Sequence, residues 1–216
     1  MLRIGFSLTL QMKNNQILVL IIVVVVVIIL VLLFWGWWAS GTTSTVNDAT
    51  YKDLLLLRAL LDDKRSFTRE YTNNLVSGGS CLEASNKKLE DINLAIASIL
   101  LKRDTTDTSS VNGLSSLLNA HPLLLKRIHD GESEASVMGD FDKNAAAIVA
   151  LLAKCSDSTN LKATLDNYNL HTIAQLKDLT SGDCAKSYLD YDLLKKDNAD
   201  LYDWFYAYVI ANRKGK

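Results

Sequence analysis

Proline and glycine are scarce in this chain, and their scarcity excludes a good deal. The 216 residues include one proline, Pro122, and ten glycines. Proline and interior glycine are the residues that break helices, so long uninterrupted helices are open to this sequence. Val and Ile runs are few outside one N-terminal segment, and no Asn-Gly turn joins two alternating apolar stretches. Asn112-Gly113 leads instead into a helical pattern. A strand-based fold is therefore not expected.

Reactive clusters are missing too. Cys81, Cys155 and Cys184 are too few and too scattered for a structural zinc site. In an oxidising compartment they would give one disulfide and one free thiol. Cys155–Cys184 is the expected pair because the two bound the same two-segment excursion, and the alternative is three unpaired thiols packed at helix ends. The three histidines form no His-x-x-x-His or His-Glu-x-x-His pair. His121 falls on an apolar helical face and reads as a satisfied core or capping residue. Asp140-Phe141-Asp142-Lys143-Asn144 begins like a calcium loop. Ala145 and Leu151 then stand where that loop needs glycine and a bidentate glutamate. There is no Gly-x-Gly-x-x-Gly, phosphate loop or Gly-x-Ser-x-Gly. No metal, no cofactor and no enzymatic activity are expected. None of the 15 asparagines stands in an Asn-x-Ser/Thr sequon.

Long polar runs are absent between Ile17 and Trp38. ILVLIIVVVVVIILVLLFWGWW is an unbroken apolar stretch of 22 residues. As a helix rising about 1.5 Å per residue it is roughly 33 Å long, enough for a hydrocarbon core of about 30 Å. A lone span must satisfy its backbone internally, so it must be helical. Ile17, Val25 and Leu33 represent its apolar body. Trp35, Trp37 and Trp38 gather at one end, where indole rings favour the headgroup layer. Signal-peptide apolar regions run only about 7–15 residues, so a retained anchor is expected rather than a cleaved leader. Arg3 and Lys13 precede the run, while the flank on its C-terminal side holds only Lys52 as far as Asp53. The positive-inside rule then puts residues 1–16 in the cytoplasm and the larger domain on the opposite face.

The chain beyond the apolar run carries 21 cations against 24 carboxylates. That balance offers no basic footprint for nucleic acid. Residues 39–50, ASGTTSTVNDAT, read as a flexible linker of at most about 40 Å. Residues 51–213 read as a bundle of about six helices, with 214–216 a basic tail. The first helix, from about Tyr51 to Val76, is apolar on more than one face, so it is either central in the bundle or partly a partner surface, with Leu54 and Leu57 as contact candidates. Ser80-Cys81-Leu82-Glu83 has the form of a capping box. The helix it opens buries Leu82, Leu89, Ile92, Ile96 and Ile99, with Asn86, Lys87, Glu90 and Asn93 opposite. Leu114 to Ile128 keeps helical phase through Pro122, as one kinked helix or two short ones. Val137, Phe141, Ile148, Leu152 and Cys155 make the next stripe. A further helix starts at Asp157 or Ser158, continuous or with a break near Asn169. The last region, from Asp183 to Arg213, reads as one long helix or two shorter ones that divide at Asp197 or Asn198. Its aromatics Trp204, Phe205 and Tyr208 close the core or, alternatively, make a protein or interfacial membrane contact.

The expectation is an all-α, single-pass protein. Its partners are the lipid bilayer and other proteins of a membrane-associated assembly. A cell-envelope complex, an organelle complex or a virion with an internal membrane would use such a part. The alternative is a membrane-tethered ligand-binding or sensory domain, which would need a concave pocket with convergent polar groups.

Overall fold

Among the described residues six α-helices succeed one another. The structure is a computed structural model and describes residues 47–102, 108–152 and 158–213. The helices are α1 (Asp48–Ser77), α2 (Leu82–Leu100), α3 (Thr108–His129), α4 (Glu134–Leu152), α5 (Ser158–Ser181) and α6 (Cys184–Arg213). The expected anchor residues Ile17, Val25, Leu33, Trp35, Trp37 and Trp38 lie outside the described residues, as do Cys155 and residues 214–216. Among the described residues no helix is long and apolar enough to cross a membrane.

Local chemistry sets the helix ends. Asn47 Oδ1 accepts a hydrogen bond from the Thr50 amide at 2.8 Å and so caps α1. That cap starts α1 three residues before the expected Tyr51. Gly78, at φ 66°, ends it in the left-handed conformation that glycine adopts without a Cβ penalty. The expected capping box does not form. The N-cap of α2 is Cys81, with no side-chain bond to the backbone. Ser85 instead turns its hydroxyl back to the Cys81 carbonyl at 2.6 Å and accepts from Asn74 at 3.0 Å.

At three places where the sequence leaves a continuous or a divided helix open, the helix is continuous. Pro122 sits inside an unbroken α3, α5 runs through Asn169, and α6 runs through Asp197 and Asn198. Pro122 is itself buried in the bundle. Packing of the flanking turns on both sides holds α3 together there, where an isolated helix would give way.

Each helix packs on its successor, and α6 returns to α1. α1 also touches α3 and α5, which makes it the central element. α1 and α6 are antiparallel. Asp53 meets Arg213, Asp62 meets Asn198, and the Arg69 guanidinium lies 4.7 Å from the Tyr188 ring. At one end of the bundle Arg213 bonds Asp53 at 2.6 Å and the Ile99 carbonyl at 2.8 Å, while Lys102 reaches the same Asp53 oxygen at 2.9 Å. Burial works against the Asp53 charge, but Lys102 and Arg213 overcome it and hold its carboxyl below the ordinary value.

The apolar interior comes in two clusters. The first includes Leu57, Leu61, Ile96, Leu114, Ile148, Leu161, Leu201 and Phe205. The second includes Tyr71, Leu75, Leu89, Leu125, Phe141, Ile173 and Leu176. Fully burying a side chain of this kind contributes about 1.5–3 kcal/mol, so both clusters stabilise the fold substantially. Leu54, Leu57, Phe205 and Tyr208 belong to the first of them. Of the two readings of these helices, core and contact surface, burial favours core at Leu54, Leu57, Phe205 and Tyr208. α1 and α6 each meet several neighbours, which buries a wider arc of both helices than one amphipathic stripe would need. Trp204 is half-buried and stacks on Tyr208 with ring centroids 5.4 Å apart.

Candidate functional site

A layer of polar side chains lies between the two apolar clusters, and every helix contributes to it. Along α1 the core positions run Leu57, Leu61, Lys64, Thr68, Tyr71 and Leu75. Polar residues thus occupy the middle turns at the same helical phase as the leucines. The same happens at Asn93 between Leu89 and Ile96 of α2, and at His121 between Leu118 and Leu125 of α3. Asn144 of α4, Asn169 of α5 and Asn198 of α6 complete the level. Asn93 is 1 % exposed, although its polarity suggests an outward position beside Glu90.

The layer is partly bonded. Lys64 Nζ donates to Asn93 Oδ1 at 2.7 Å, and Asn93 Nδ2 donates to Asn119 Oδ1 at 2.7 Å. Asn144 donates to the Leu117 carbonyl at 3.0 Å, and Asn198 Nδ2 to Asp62 Oδ1 at 3.2 Å. Other buried atoms have no hydrogen-bond partner, namely His121 Nε2, Tyr168 Oη, Asn198 Oδ1 and Thr68 Oγ1. Thr68 faces Tyr168 without closing a hydrogen bond to it. Leaving such a group unmet costs roughly 1–3 kcal/mol. His121 is therefore a core residue, as its phase suggests, and no protein group meets its Nε2.

Lys64, His121, Tyr168, Asn144, Asn169 and Asn198 line one cavity of about 30 Å³, with Leu61, Ile96, Ile148 and Leu165 among its apolar walls. The His121 and Tyr168 rings are 5.4 Å apart. Burial pushes the Lys64 amine down to about 7. Burial, helped by the nearby Lys64 charge, pushes the His121 ring down to about 3. Burial raises the Tyr168 hydroxyl to about 12. Near neutral pH the imidazole and the phenol are both uncharged, and the lysine gives up its proton far more readily than an exposed one.

A second polar seam joins α5 to α6. His171 Nδ1 lies 2.6 Å from Asp197 Oδ2, whose side chain is deeply buried. Farther along, the carboxyls of Asp178 and Asp190 lie close enough to perturb each other. Burial and the adjacent Asp178 push Asp190 up. Burial opposes the Asp178 charge, but Asp190 and Lys186, the latter at 3.1 Å, hold it below the ordinary range. Both pairs clamp α5 to α6. Among the described residues no cluster of three or more His, Cys, Asp or Glu is placed to hold a metal ion. The acids of the calcium-like stretch lie along α4, where Asp140 pairs with Arg127 at 2.9 Å and with Lys143 at 3.0 Å.

Outside the core, the first turns of α1 expose Tyr51, Leu55 and Leu56, each more than half exposed. Tyr206 of α6 is exposed as well. It lies beside Tyr202, whose ring in turn sits under the Arg58 guanidinium. Cys81 and Cys184 are exposed, and the partner expected for Cys184, Cys155, lies outside the described residues. Comparison with protein-family models, with curated proteins and with solved structures gives no match.

Proposed function

We propose that this chain is a membrane-tethered docking module, in which Ile17–Trp38 anchors the protein and the helical bundle contacts neighbours in a membrane-associated assembly. The observation that carries the reading is the exposed apolar strip of Tyr51, Leu55 and Leu56 on α1. Large apolar side chains grouped on a polar surface mark interaction sites more often than scattered ones do. The strip also replaces the buried Leu54 and Leu57 as the α1 contact surface. A bilayer anchor, an extracytoplasmic bundle and a cell-envelope, organelle or virion setting belong to the same proposal.

The test uses the full chain in its native membrane. Leu55→Glu combined with Leu56→Glu should shift the native complex to lower mass on mild-detergent size exclusion while the melting temperature stays put. An unchanged complex with an unchanged fold would reject the strip as the contact.

The chamber favours a second reading, a ligand-binding domain, because polar groups converge on it between helices. Its volume of about 30 Å³ restricts that reading to the smallest occupants. Pockets for drug-sized ligands run to about 300–1,000 Å³. A metabolite sensor is therefore disfavoured at this site.

A further inference from the structure

The chamber at the polar layer is built for an occupant. His121 is 7 % exposed and Tyr168 3 %, and neither His121 Nε2 nor Tyr168 Oη has a protein partner. Asn198 Oδ1, on a residue 5 % exposed, is likewise unmet. All three residues line the same cavity. Lys64 lines it too and has spent one of its hydrogens on Asn93. Buried polar atoms in native proteins nearly always find a partner, and where protein supplies none, ordered water does.

Size and chemistry narrow the occupant. A water needs roughly 10–15 Å³ of such volume and two to four polar contacts. The chamber offers about 30 Å³, which suits one or two waters and excludes larger metabolites. Its wall combines donors and acceptors. Lys64 donates, Asn198 Oδ1 accepts, the Tyr168 hydroxyl does both, and His121 Nε2 does one or the other by tautomer. An ion fits poorly, because the remaining wall is largely leucine, isoleucine and phenylalanine. A neutral dipole able to give and take hydrogen bonds fits every group.

We propose that this chamber is a binding site for a small uncharged hydrogen-bonding molecule, namely one or two ordered waters held by Lys64, His121, Tyr168 and Asn198. The water links α1, α3, α5 and α6 at mid-height, where direct bonds between their side chains fall short. It is a structural part of the bundle and independent of any docking partner.

The experiment is magnetisation transfer from water to the ring protons of isotopically labelled His121 in the full chain, held in detergent micelles. The sign of the transfer distinguishes a long-lived bound water from bulk solvent. The expected result is a bound-water signal at His121, with a lower melting temperature and a lost signal in Tyr168→Phe. Absence of that signal in the wild-type protein overturns the proposal, whether or not the variant folds. A Tyr168→Phe protein that melts higher than wild type also overturns it. Removing an unpartnered hydroxyl relieves a penalty, whereas removing a water ligand creates one.

Discussion

Lys64→Met should change the sign of its effect on stability between pH 7 and pH 10. In the folded chain burial holds the Lys64 amine at about 7 instead of its usual 10.5. The unfolded chain therefore binds more protons than the folded chain throughout the window between those values, and stability rises with pH there. Below pH 7 both states are protonated and the full penalty applies. Above about pH 10.5 neither is protonated and the penalty vanishes. Linkage puts the cost of Lys64 at about 4 kcal/mol at pH 7 and about 1 kcal/mol at pH 10. Methionine has similar length and no charge, so it removes this cost. It also strips Asn93 Oδ1 of its 2.7 Å donor, a loss of about 1–3 kcal/mol. The variant should then be about 1–3 kcal/mol more stable than wild type at pH 7, and between neutral and about 2 kcal/mol less stable at pH 10. The facing groups His121 and Tyr168, held at about 3 and about 12, do not titrate in this window and leave the comparison clean. Urea denaturation of the full chain in one detergent at both pH values measures the difference. The same offset at both pH values would show that Lys64 is ordinarily protonated and solvated, and the reasoning from its burial would be wrong.

Arg213→Ala should destabilise the bundle by about 1–3 kcal/mol, because the guanidinium bonds both Asp53 and the Ile99 carbonyl and is largely buried. The variant should also flatten the acid limb of stability. Asp53 is held below its ordinary value, so its contribution is present above the usual carboxylate range and lost as pH falls through the lowered value. Acid and urea titrations check both statements. Alkylation of native membranes without reductant should label Cys81 and Cys184, the two exposed thiols, whereas protection of Cys184 would indicate the pairing with Cys155. Val25→Arg with Val26→Arg should release the protein from carbonate-washed membranes, at about 2.5–3.5 kcal/mol for each arginine at the centre of a span; retention would refute the anchor.

The helices themselves are legible in the sequence, and the polar layer is not. The stripe Leu89, Ile92, Ile96 and Ile99 packs inward in α2, and Val137, Phe141, Ile148 and Leu152 do the same in α4. Periodicity reads such elements well because one apolar face meets one set of neighbours. At Asn93 polarity points outward and helical phase points inward, and phase prevails. The residue lies four positions after Leu89 and three before Ile96, which is the buried face. Asp197 and Asn198 suggest a break in α6 for the same reason, yet both lie in phase with Leu194 and Leu201 and both are buried. A polar residue at core phase, repeated in six helices, is the signal that could locate the layer. Its mid-height alignment needs the three-dimensional packing. The contact surface is obscured on different grounds. Leu54 to Leu57 are four consecutive leucines, and only packing against α6 and α2 decides that Leu54 and Leu57 go in while Leu55 and Leu56 stay out.

A layer of polar residues across an otherwise apolar bundle penalises misregister more than it adds stability. Apolar faces alone are forgiving, since sliding a helix by one turn replaces leucine with leucine. Here a slip of α1 by one turn, about 5.4 Å, would part Lys64 from Asn93 and press it among Leu61 and its neighbours. Similar slips would carry His121 of α3 or Asn198 of α6 into apolar surroundings. Single buried polar residues fix register in coiled coils at some cost in stability. Five of them and the half-buried Asn144 at one level couple the register of every helix to that of its neighbours. Lys64 is the costliest member because it alone carries a charge when protonated near neutral pH. Its replacement by methionine leaves the other five in place, so the variant that is more stable at pH 7 should still unfold in a single cooperative transition.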